Sequence, residues 1–169
     1  MAATYRDILE DLSDTARRFA ERSGEPAWVA ALLEPGWLAL AWYRLTHWLY
    51  RHKQPVLAGL ITRQVRRSTG IDLHPGARVG RRCMLLGGPL LIGETTVIGD
   101  DCVIEPGVVM HGVGIGAGDR RHPSLGNRVR VEAGAILVGD LFLGNDVRVA
   151  AGAVVTRDVP DAGLAVGVP

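Results

Sequence analysis

The chain has 169 residues, 47% of them hydrophobic, and its formal net charge at pH 7 is +1. That length suits one domain with an appendage, and the apolar content is ample for a core. The near-neutral charge argues against nonspecific nucleic-acid binding, which requires a concentrated basic surface. The chain contains no run of about 18 apolar residues and its first residues lack the apolar segment of a signal peptide, so we expect a cytoplasmic protein.

Residues 1–68 are predicted to form an N-terminal α-helical domain. The first helix carries an apolar stripe at i, i+3 and i+4 spacing and ends before Gly24. A short helical segment is expected over 27–33, and two longer helices over 37–52 and from 55 to about 67. All four tryptophans lie in this domain. They fit either an ordinary helical core or a subunit interface.

Residues 69–169 repeat a large aliphatic side chain at every sixth position, often followed by glycine. A period of six matches neither the helical period of 3.6 nor the period of two of a strand. It matches a coil with three short faces, in which one side chain per face points inward. Such hexapeptide repeats are typical of a parallel β-helix. The repeated residues are Leu73, Val79, Leu85, Ile92, Ile98, Ile104, Met110, Leu125, Val131, Leu137, Leu143, Val149 and Val155.

Two departures interrupt this spacing. The step from Leu85 to Ile92 is seven residues, and the step from Met110 to Leu125 is fifteen. A solenoid accommodates extra residues as loops that leave its wall, and such loops commonly build a site. We therefore expect the functional chemistry in the loop 111–124.

The loop ends in a cation next to an imidazole, at Arg121 and His122. An imidazole can act as a general base because its pKa lies near 7, and an arginine can hold a carboxylate through two parallel hydrogen bonds. The same residues fit a solvated surface loop. His111, at the other end of the loop, could approach an acceptor from another wall or simply bond a backbone carbonyl.

Two cysteines, Cys83 and Cys102, each precede a repeated aliphatic residue by two positions. They should therefore lie on adjacent rungs, about 4.8 Å apart. A disulfide fits that spacing, but in a reducing compartment we expect two buried thiols.

Several stretches of the sequence form recognisable motifs: Pro35-Gly36-Trp37, Tyr43-Arg44-Leu45-Thr46-His47-Trp48-Leu49, Thr69-Gly70-Ile71-Asp72-Leu73-His74-Pro75-Gly76-Ala77, Ile92-Gly93-Glu94-Thr95, Arg121-His122-Pro123, Val159-Pro160 and Val166-Gly167-Val168-Pro169. Through them the chain, from about residue 25 to 169, resembles the serine O-acetyltransferases, hexapeptide enzymes that acetylate serine from acetyl-CoA. The resemblance implies a left-handed parallel β-helix, a homotrimer or dimer of trimers with sites between neighbouring subunits, and no metal.

The resemblance also implies roles for single residues. Asp72 corresponds to a carboxylate that orients the catalytic imidazole, although it also fits a turn residue at the junction of helix and coil. Arg121 and His122 correspond to the pair that receives the carboxylate of the acceptor. Glu25 stands where the family has an aspartate that binds the substrate amine. His74 is expected to be structural.

For the acyl donor, the resemblance points to acetyl-CoA, another acyl-CoA or a phosphopantetheinyl thioester. Gly112, Ala133 and Ala151 fall where the family packs backbone and small side chains against the pantetheine arm. Backbone N–H groups near Gly112 would then stabilise the thioester oxyanion.

One departure from the family lies between Leu85 and Ile92, where this chain lacks the family's Asp-His pair. General-base assistance is typically worth about 10²–10⁴ in rate. We therefore predict an acyltransferase whose acceptor is not serine itself, with His122 or, less readily, His111 as base. The alternative is a catalytically silent paralogue that serves as a scaffold or regulatory subunit.

A third possibility is a metal-dependent lyase on the same coil. His111 and His122 could be imagined as zinc ligands, but the sequence offers no evident third imidazole. The chain stops at 167–169, where relatives continue into a tail that docks on the cysteine-synthesising enzyme. Association with cysteine synthase is therefore not expected.

Overall fold

A computed structural model of the protein describes residues 5–114 and 120–167. It begins with four helices whose starts and ends have local causes. A proline occupies the first turn of both α3 and α4, where its missing N–H is not needed. Gly70, at φ 76°, caps the fourth helix in the left-handed conformation that glycine adopts without strain. The helices are α1 (Tyr5–Ser23), α2 (Ala27–Leu33), α3 (Pro35–Arg51) and α4 (Pro55–Thr69).

The rest of the described chain winds through two- and three-residue strands that pair in parallel and form three sheets. Sheet A contains β1 (Ile71–Leu73), β4 (Leu90–Ile92), β7 (Val109–His111), β10 (Ile136–Val138) and β13 (Val154–Val155). Sheet B contains β2 (Arg78–Val79), β5 (Val97–Ile98), β8 (Ser124–Leu125) and β11 (Phe142–Leu143). Sheet C contains β3 (Met84–Leu85), β6 (Val103–Ile104), β9 (Arg130–Val131), β12 (Arg148–Val149) and β14 (Leu164–Ala165).

The core of the coil consists of the repeated aliphatic residues. All thirteen predicted positions are buried, with exposed fractions of 8% or less. In sheet A the register stacks Leu73 on Ile92, Met110, Leu137 and Val155. Each rung therefore covers the apolar edge of the next, which confirms the predicted three-sided parallel coil.

Helix α3 is fastened to the first coil by buried polar groups. The hydroxyl of Tyr43 donates to the carbonyl of Ala77 at 2.6 Å and accepts the N–H of Val79 at 3.2 Å. Burial raises the pKa of this phenol to about 12, and the nearby Arg44 only partly opposes the shift. Arg44 donates to the carbonyl of Val79 at 2.6 Å and to Asp11 of α1 at 2.7 Å. The helices and the coil therefore share one core and one polar network.

The four tryptophans do not form a single helical core. Trp37 donates its indole N–H to the carbonyl of Leu12 at 3.0 Å and so ties α3 to α1. The side chains of Trp28, Trp42 and Trp48 are exposed. This exposure favours the interface alternative for these three. Within the residues that the structure covers, no helix is both long enough and apolar enough to cross a lipid bilayer.

Both cysteines are buried free thiols, as predicted. The thiol of Cys83 donates to the carbonyl of Gly99, and that of Cys102 donates to the carbonyl of Gly126. The adjacent thiol of Cys102 and burial raise the pKa of Cys83, so it remains an uncharged thiol.

The strands of sheet A all run in one direction, so their N-terminal ends lie along one side of the sheet and their C-terminal ends along the other. We call these two sides the N-terminal edge and the C-terminal edge of sheet A. Its N-terminal edge is formed by the turns that enter the strands, at 88–89, 106–108, 133–135 and 151–153. Its C-terminal edge is formed by the segments that leave them, including 74–77, 93–96 and 112–114. A three-residue strand separates the two edges by about 10 Å.

Candidate functional site

The imidazole of His122 is held at the C-terminal edge by one threonine. Thr95 lies in the turn after β4, and His122 returns to the same corner one coil later. Its Nδ1 atom lies 2.9 Å from the Thr95 hydroxyl and accepts the Thr95 backbone N–H at 3.3 Å. The Thr95 hydroxyl also accepts the backbone N–H groups of Arg121 and His122, both at 3.2 Å.

The hydrogen bonds of Thr95 determine which ring nitrogen of His122 carries the proton. A threonine hydroxyl has two acceptor positions and one hydrogen. Both acceptor positions of Thr95 are taken by backbone N–H groups, so its hydrogen must point to Nδ1 of His122. Neutral His122 therefore carries its proton on Nε2 and offers a hydrogen-bond donor there.

Two glycines make room for this ring. An added Cβ at Gly93 would lie 2.1 Å from the Cδ2 and Nε2 atoms of His122, and one at Gly112 would lie 2.9 Å from its Cε1 and Nε2 atoms. The imidazole thus lies against the backbone of two successive rungs. Burial lowers the pKa of His122, and the nearby positive groups of Arg121 and His111 lower it further. The ring is therefore neutral near pH 7.

Arg121 lies beside this ring and is held by a carboxylate. Its Nη2 donates to Oε2 of Glu94 at 2.6 Å, and the Tyr50 hydroxyl donates to the other oxygen of Glu94 at 3.0 Å. Burial alone would raise the pKa of Glu94, but the bond from Tyr50, the nearby His74 and the bond from Arg121 outweigh it and lower the pKa. Glu94 is therefore ionised and fixes the guanidinium in place.

The other terminal nitrogen of Arg121, Nη1, is buried and has no hydrogen-bond partner within residues 5–114 and 120–167. A buried donor without a partner is costly, and more so when it is charged. Together with the Nε2–H of His122, this nitrogen forms a pair of donors that suits an anion. The structure thus brings the two predicted acceptor-binding residues together, with His122 buried and Arg121 half-buried.

His74 belongs to the same edge, although it was expected to be only structural. The Gly76 N–H donates to its Nδ1 at 3.0 Å, so its neutral form also carries the proton on Nε2. Burial lowers its pKa, while the carboxylates of Glu94 and Asp72 oppose that shift. The ring of Tyr50 meets it edge-on at 5.7 Å between centroids.

His111 differs from these two imidazoles. It is the last residue of β7 and its side chain is exposed. Its ring makes no hydrogen bond within the described part of the chain, so neither nitrogen is fixed. The predicted loop 111–124 leaves at this point, and its residues 115–119 lie outside the described residues.

Asp72 does not contact an imidazole in the way the resemblance implied. Its Oδ2 accepts a hydrogen bond from Nη1 of Arg66 at 2.8 Å, and no hydrogen bond to a histidine is found among the described residues. The cause is local, because α4 ends immediately before β1 and brings its last turn over this strand. The expected orienting carboxylate is therefore half of an ion pair.

Glu25 lies away from the other candidates. It occupies the turn between α1 and α2, and these helices pack against Met84 and Val103 of sheet C. Its side chain is exposed and makes no hydrogen bond or ion pair within the described chain. In a single chain it is therefore not near Arg121.

The three residues expected to contact the acyl donor divide between the two edges. Gly112 lies at the C-terminal edge beside His122. Ala133 and Ala151 are exposed at the N-terminal edge. Their N–H groups donate to carboxylates of the same face: to Glu105 at 3.3 Å for Ala133, and to Glu132 at 3.2 Å for Ala151.

A shallow groove of about 340 Å³ follows the N-terminal edge. Its walls are mostly backbone and aliphatic side chains, with the Arg66–Asp72 pair at one end. It passes the turn at Gly88-Pro89, within the segment where the sequence lacks the family's Asp-His pair. The lining residues are Arg66, Gly70, Asp72, Pro89, Leu90, Leu91, Gly107, Val108 and Val109.

The sequence analysis assigned no functional role to Tyr50, Glu94, Thr95 and Arg66. For Glu94 and Thr95, the spacing of the repeat contained the information needed to place them in the site. Thr95 and His122 are 27 residues apart, which equals three hexapeptides plus the nine extra residues of the insertion. That count places Glu94 and Thr95 one coil away from Arg121 and His122. Tyr50 and Arg66 depend on how the helices dock, which the repeat does not encode.

Within the described residues, no three histidine, cysteine, aspartate or glutamate side chains cluster as a metal site would require.

Comparison with known proteins gives a consistent answer. No family model matches the chain. The serine acetyltransferase of Helicobacter pylori strain 26695 is 43% identical over 162 residues, with 93% of each chain covered. The serine acetyltransferase of Synechococcus elongatus is 41% identical over 170 residues, covering all of this chain and 66% of the relative, slightly under two thirds of its length.

Solved structures agree. The serine acetyltransferase of Neisseria gonorrhoeae superposes with a TM-score of 0.92 at 31% identity, covering 98% of this chain and 67% of that one. A serine acetyltransferase in complex with CoA gives a TM-score of 0.86 at 31% identity, covering 98% and 69%. These likenesses confirm the predicted left-handed parallel β-helix with an N-terminal helical region. The chain belongs to the serine acetyltransferase family.

Proposed function

We propose that this protein is an acyltransferase that moves an acetyl group from acetyl-CoA to a small acceptor with a hydroxyl or amino group and a carboxylate. The observation that carries the proposal is the pair of unused donors at the C-terminal edge, the buried Nη1 of Arg121 and the Nε2–H of His122. A carboxylate satisfies both through charge-assisted hydrogen bonds. Family membership supports the donor, since one related structure holds CoA.

The reaction needs three contributions from the chain. The acceptor oxygen attacks the thioester carbonyl carbon, the carbon–sulfur bond breaks, and the acceptor proton ends on the CoA sulfur by way of a base. The Gly112 N–H has no hydrogen-bond partner in the described part of the chain, which supports a role in binding the developing oxyanion. Arg121 and His122 orient the acceptor.

We assign the base to His111 rather than to His122, the reverse of the order expected from the sequence. Nε2 of neutral His122 carries a proton, and protonating Nδ1 would break its bonds from Thr95. His111 is exposed at the mouth of the loop and has both nitrogens available. This assignment also agrees with a segment 86–89 that contains no histidine.

We further propose that serine is not the preferred acceptor, although the relatives are serine acetyltransferases. The segment 86–89 contains no carboxylate to hold an ammonium group, and Glu25 lies over sheet C. Arg121, by contrast, is in place for a carboxylate. We therefore expect the protein to recognise the carboxylate of the acceptor, through Arg121, and not its ammonium group.

Release of CoA thiol with three acceptors tests this proposal. Serine has both charged groups, 3-hydroxypropanoate lacks only the ammonium, and ethanolamine lacks only the carboxylate. We expect kcat/KM for 3-hydroxypropanoate to equal or exceed that for serine, and kcat/KM for ethanolamine to be lower than both. A strong preference for serine over 3-hydroxypropanoate would contradict the proposed acceptor class while leaving the acyltransferase assignment standing.

We also propose that two subunits complete each site, in a homotrimer or a dimer of trimers. Ala133 and Ala151 lie at the edge of sheet A opposite Arg121 and His122, about 10 Å away across the strands. A neighbouring copy that places its N-terminal edge against this C-terminal edge would bring donor and acceptor sites together. Light scattering of the purified protein should give a multiple of three chains, and a monomer would contradict the shared site.

The second candidate is a catalytically silent paralogue that acts as a scaffold or regulatory subunit. The observation that favours it is Asp72, whose expected catalytic partner is replaced by Arg66. Acetyl-CoA consumption against a panel of hydroxy and amino acids separates the two candidates. No turnover with any donor, in protein that still binds CoA, would establish the silent role.

A further inference from the structure

A second polar cavity lies on the other side of β1, between α4 and the first coil. It has a volume of about 660 Å³. One wall is the face of α4 that carries Arg63, Arg66 and Arg67, and the other is formed by Asp72 and His74 with Tyr50 at one end. Arg121 and His122 do not line this cavity, which adjoins the acceptor site through Tyr50 and His74.

The charges that line this cavity do not balance. Three guanidinium groups face one carboxylate, Asp72, and Arg66 already uses it. His74 adds no further positive charge, because burial lowers its pKa and favours the neutral ring near pH 7. Arg63 and Arg67 have no carboxylate within ion-pair distance among residues 5–114 and 120–167. The lining therefore carries a net charge of +2.

The spacing of the arginines brings three like charges together on an exposed helix face, where solvent screens their repulsion in part. Positions 63, 66 and 67 are three and four residues apart, so their side chains are neighbours on one helix face and repel one another. The negative end of the helix dipole favours Arg66 and Arg67 in the last turn, but it falls off within that turn and does little for Arg63. A bound anion would relieve the repulsion of all three.

Neutral donors and open space complete the cavity. The hydroxyl oxygen of Thr62 is buried and has no partner in the described structure. Gly59 leaves its part of the helix wall bare, since an added Cβ there would meet nothing within 4 Å. The Nε2–H of neutral His74 is a further donor. The forked N–H donors of a guanidinium group and neutral donors together suit phosphate or carboxylate oxygens.

We propose that the cleft between α4 and β1 is a binding site for a small dianion, either a phosphate monoester or a dicarboxylate. Two negative charges match the net charge of its lining. Through Tyr50 and His74 the occupied cleft would border Glu94, the carboxylate that holds Arg121. The cleft shares Arg66 and Asp72 with the groove at the N-terminal edge and adjoins the acceptor site through Tyr50 and His74, whereas Arg63 and Arg67 line the cleft alone.

Calorimetric titration of the full chain at low ionic strength tests the site, with inorganic phosphate in one arm and succinate in the other. We expect saturable binding of at least one of them with one site per chain. The double variant Arg63→Gln/Arg67→Gln should lose at least about tenfold in affinity, because each lost charge-assisted hydrogen bond weakens binding by that order. Binding of phosphate alone assigns phosphate esters, binding of succinate alone assigns dicarboxylates, and binding of both assigns dianions generally.

The matched control is Arg22→Gln/Arg81→Gln, which removes the same net charge from exposed positions outside the cleft. Its affinity should stay within about twofold of the unsubstituted protein, because distant exposed charges are screened. Equal losses in the two double variants would show a general charge effect and overturn the proposal. Absence of binding in both arms would overturn it as well. Neither result bears on acetyl transfer, which is measured separately.

Discussion

The two edges of sheet A differ in chemistry although the same strands end on both. The C-terminal edge concentrates His74, Glu94, His111, Arg121 and His122. The N-terminal edge presents mainly small residues, backbone and aliphatic side chains, with its exposed N–H groups bonded to glutamates. The regular coil supplies His74 and Glu94 in the turns that follow β1 and β4. The one long insertion in the repeat then adds His111, Arg121 and His122 to the same edge.

With the proposed function, this contrast assigns the acceptor chemistry and the oxyanion contact of Gly112 to the C-terminal edge, and the contacts of Ala133 and Ala151 with the pantetheine arm to the N-terminal edge. Variants at the C-terminal edge should change catalysis and acceptor kinetics. Variants at the N-terminal edge should change the kinetics of acetyl-CoA. The following predictions use that separation, in order of expected size.

The largest effect is expected from His111→Ala. Loss of the proposed general base should lower kcat by about 10²–10⁴-fold, measured as thiol release at saturating acetyl-CoA. His52→Ala is the control, because it removes an exposed imidazole at the end of α3, away from the site. A His111→Ala protein with unchanged kcat would show that the base lies elsewhere.

At the opposite edge, Ala151→Phe should obstruct the proposed path of the pantetheine arm. We expect KM for acetyl-CoA to rise by roughly tenfold, equivalent to about 1.4 kcal/mol, with KM for the acceptor little changed. Steady-state kinetics with each substrate varied in turn provide the measurement. If KM for the acceptor rose instead, the division of roles between the edges would be wrong.

Gly93→Ala should disturb the C-terminal edge directly. Its Cβ would collide with the ring of His122, and overpacking of this kind costs about 1–3 kcal/mol. Gly59→Ala is the matched control, since its Cβ meets nothing within 4 Å and alanine in a helix is favoured over glycine by about 1 kcal/mol. The free energy of unfolding measured in urea should therefore decrease for Gly93→Ala and increase for Gly59→Ala. Equal stabilities would mean that the ring does not lie on Gly93.

Acidification should weaken the folded state. Burial lowers the pKa of His47, His74 and His122 below the ordinary value of 6.5. As the pH falls through 6.5 the unfolded chain takes up protons before the folded chain does, so the free energy of unfolding decreases until the folded pKa values are reached. Urea unfolding at pH 7.5, 6.5 and 5.5 should show this decrease, and His122→Asn should make it smaller. A free energy that increases on acidification would contradict the buried neutral imidazoles.

The sequence predicted the coil well because its determinants repeat. Every sixth aliphatic residue must be buried for the rungs to stack, so period alone identified the thirteen core positions. It also identified Arg121 and His122, because an insertion into a regular wall is conspicuous. The four helices were predicted from apolar stripes and from proline and glycine positions, with ends that differ by about two residues.

The remaining features depend on contacts that no local pattern records. The Arg66–Asp72 pair arises from the angle at which α4 meets β1, and the Tyr50–Glu94 bond arises from the docking of α3. The proton position on His122 follows from counting the hydrogen bonds of Thr95, which requires coordinates. That residues 69–169 form a domain that folds separately from residues 1–68 stays a prediction, because the helices and the coil share one core.

The central claim is that Arg121, fixed by Glu94 beside the Nε2–H of His122, receives the acceptor's carboxylate. The most direct measurement compares kcat/KM for 3-hydroxypropanoate and its uncharged amide in the unsubstituted protein and in Arg121→Gln. The account predicts that the unsubstituted protein favours the acid by about 10²–10³-fold, the range for a desolvated charge pair, and that Arg121→Gln abolishes most of this preference. A preference for the acid that survives intact in Arg121→Gln would contradict the account.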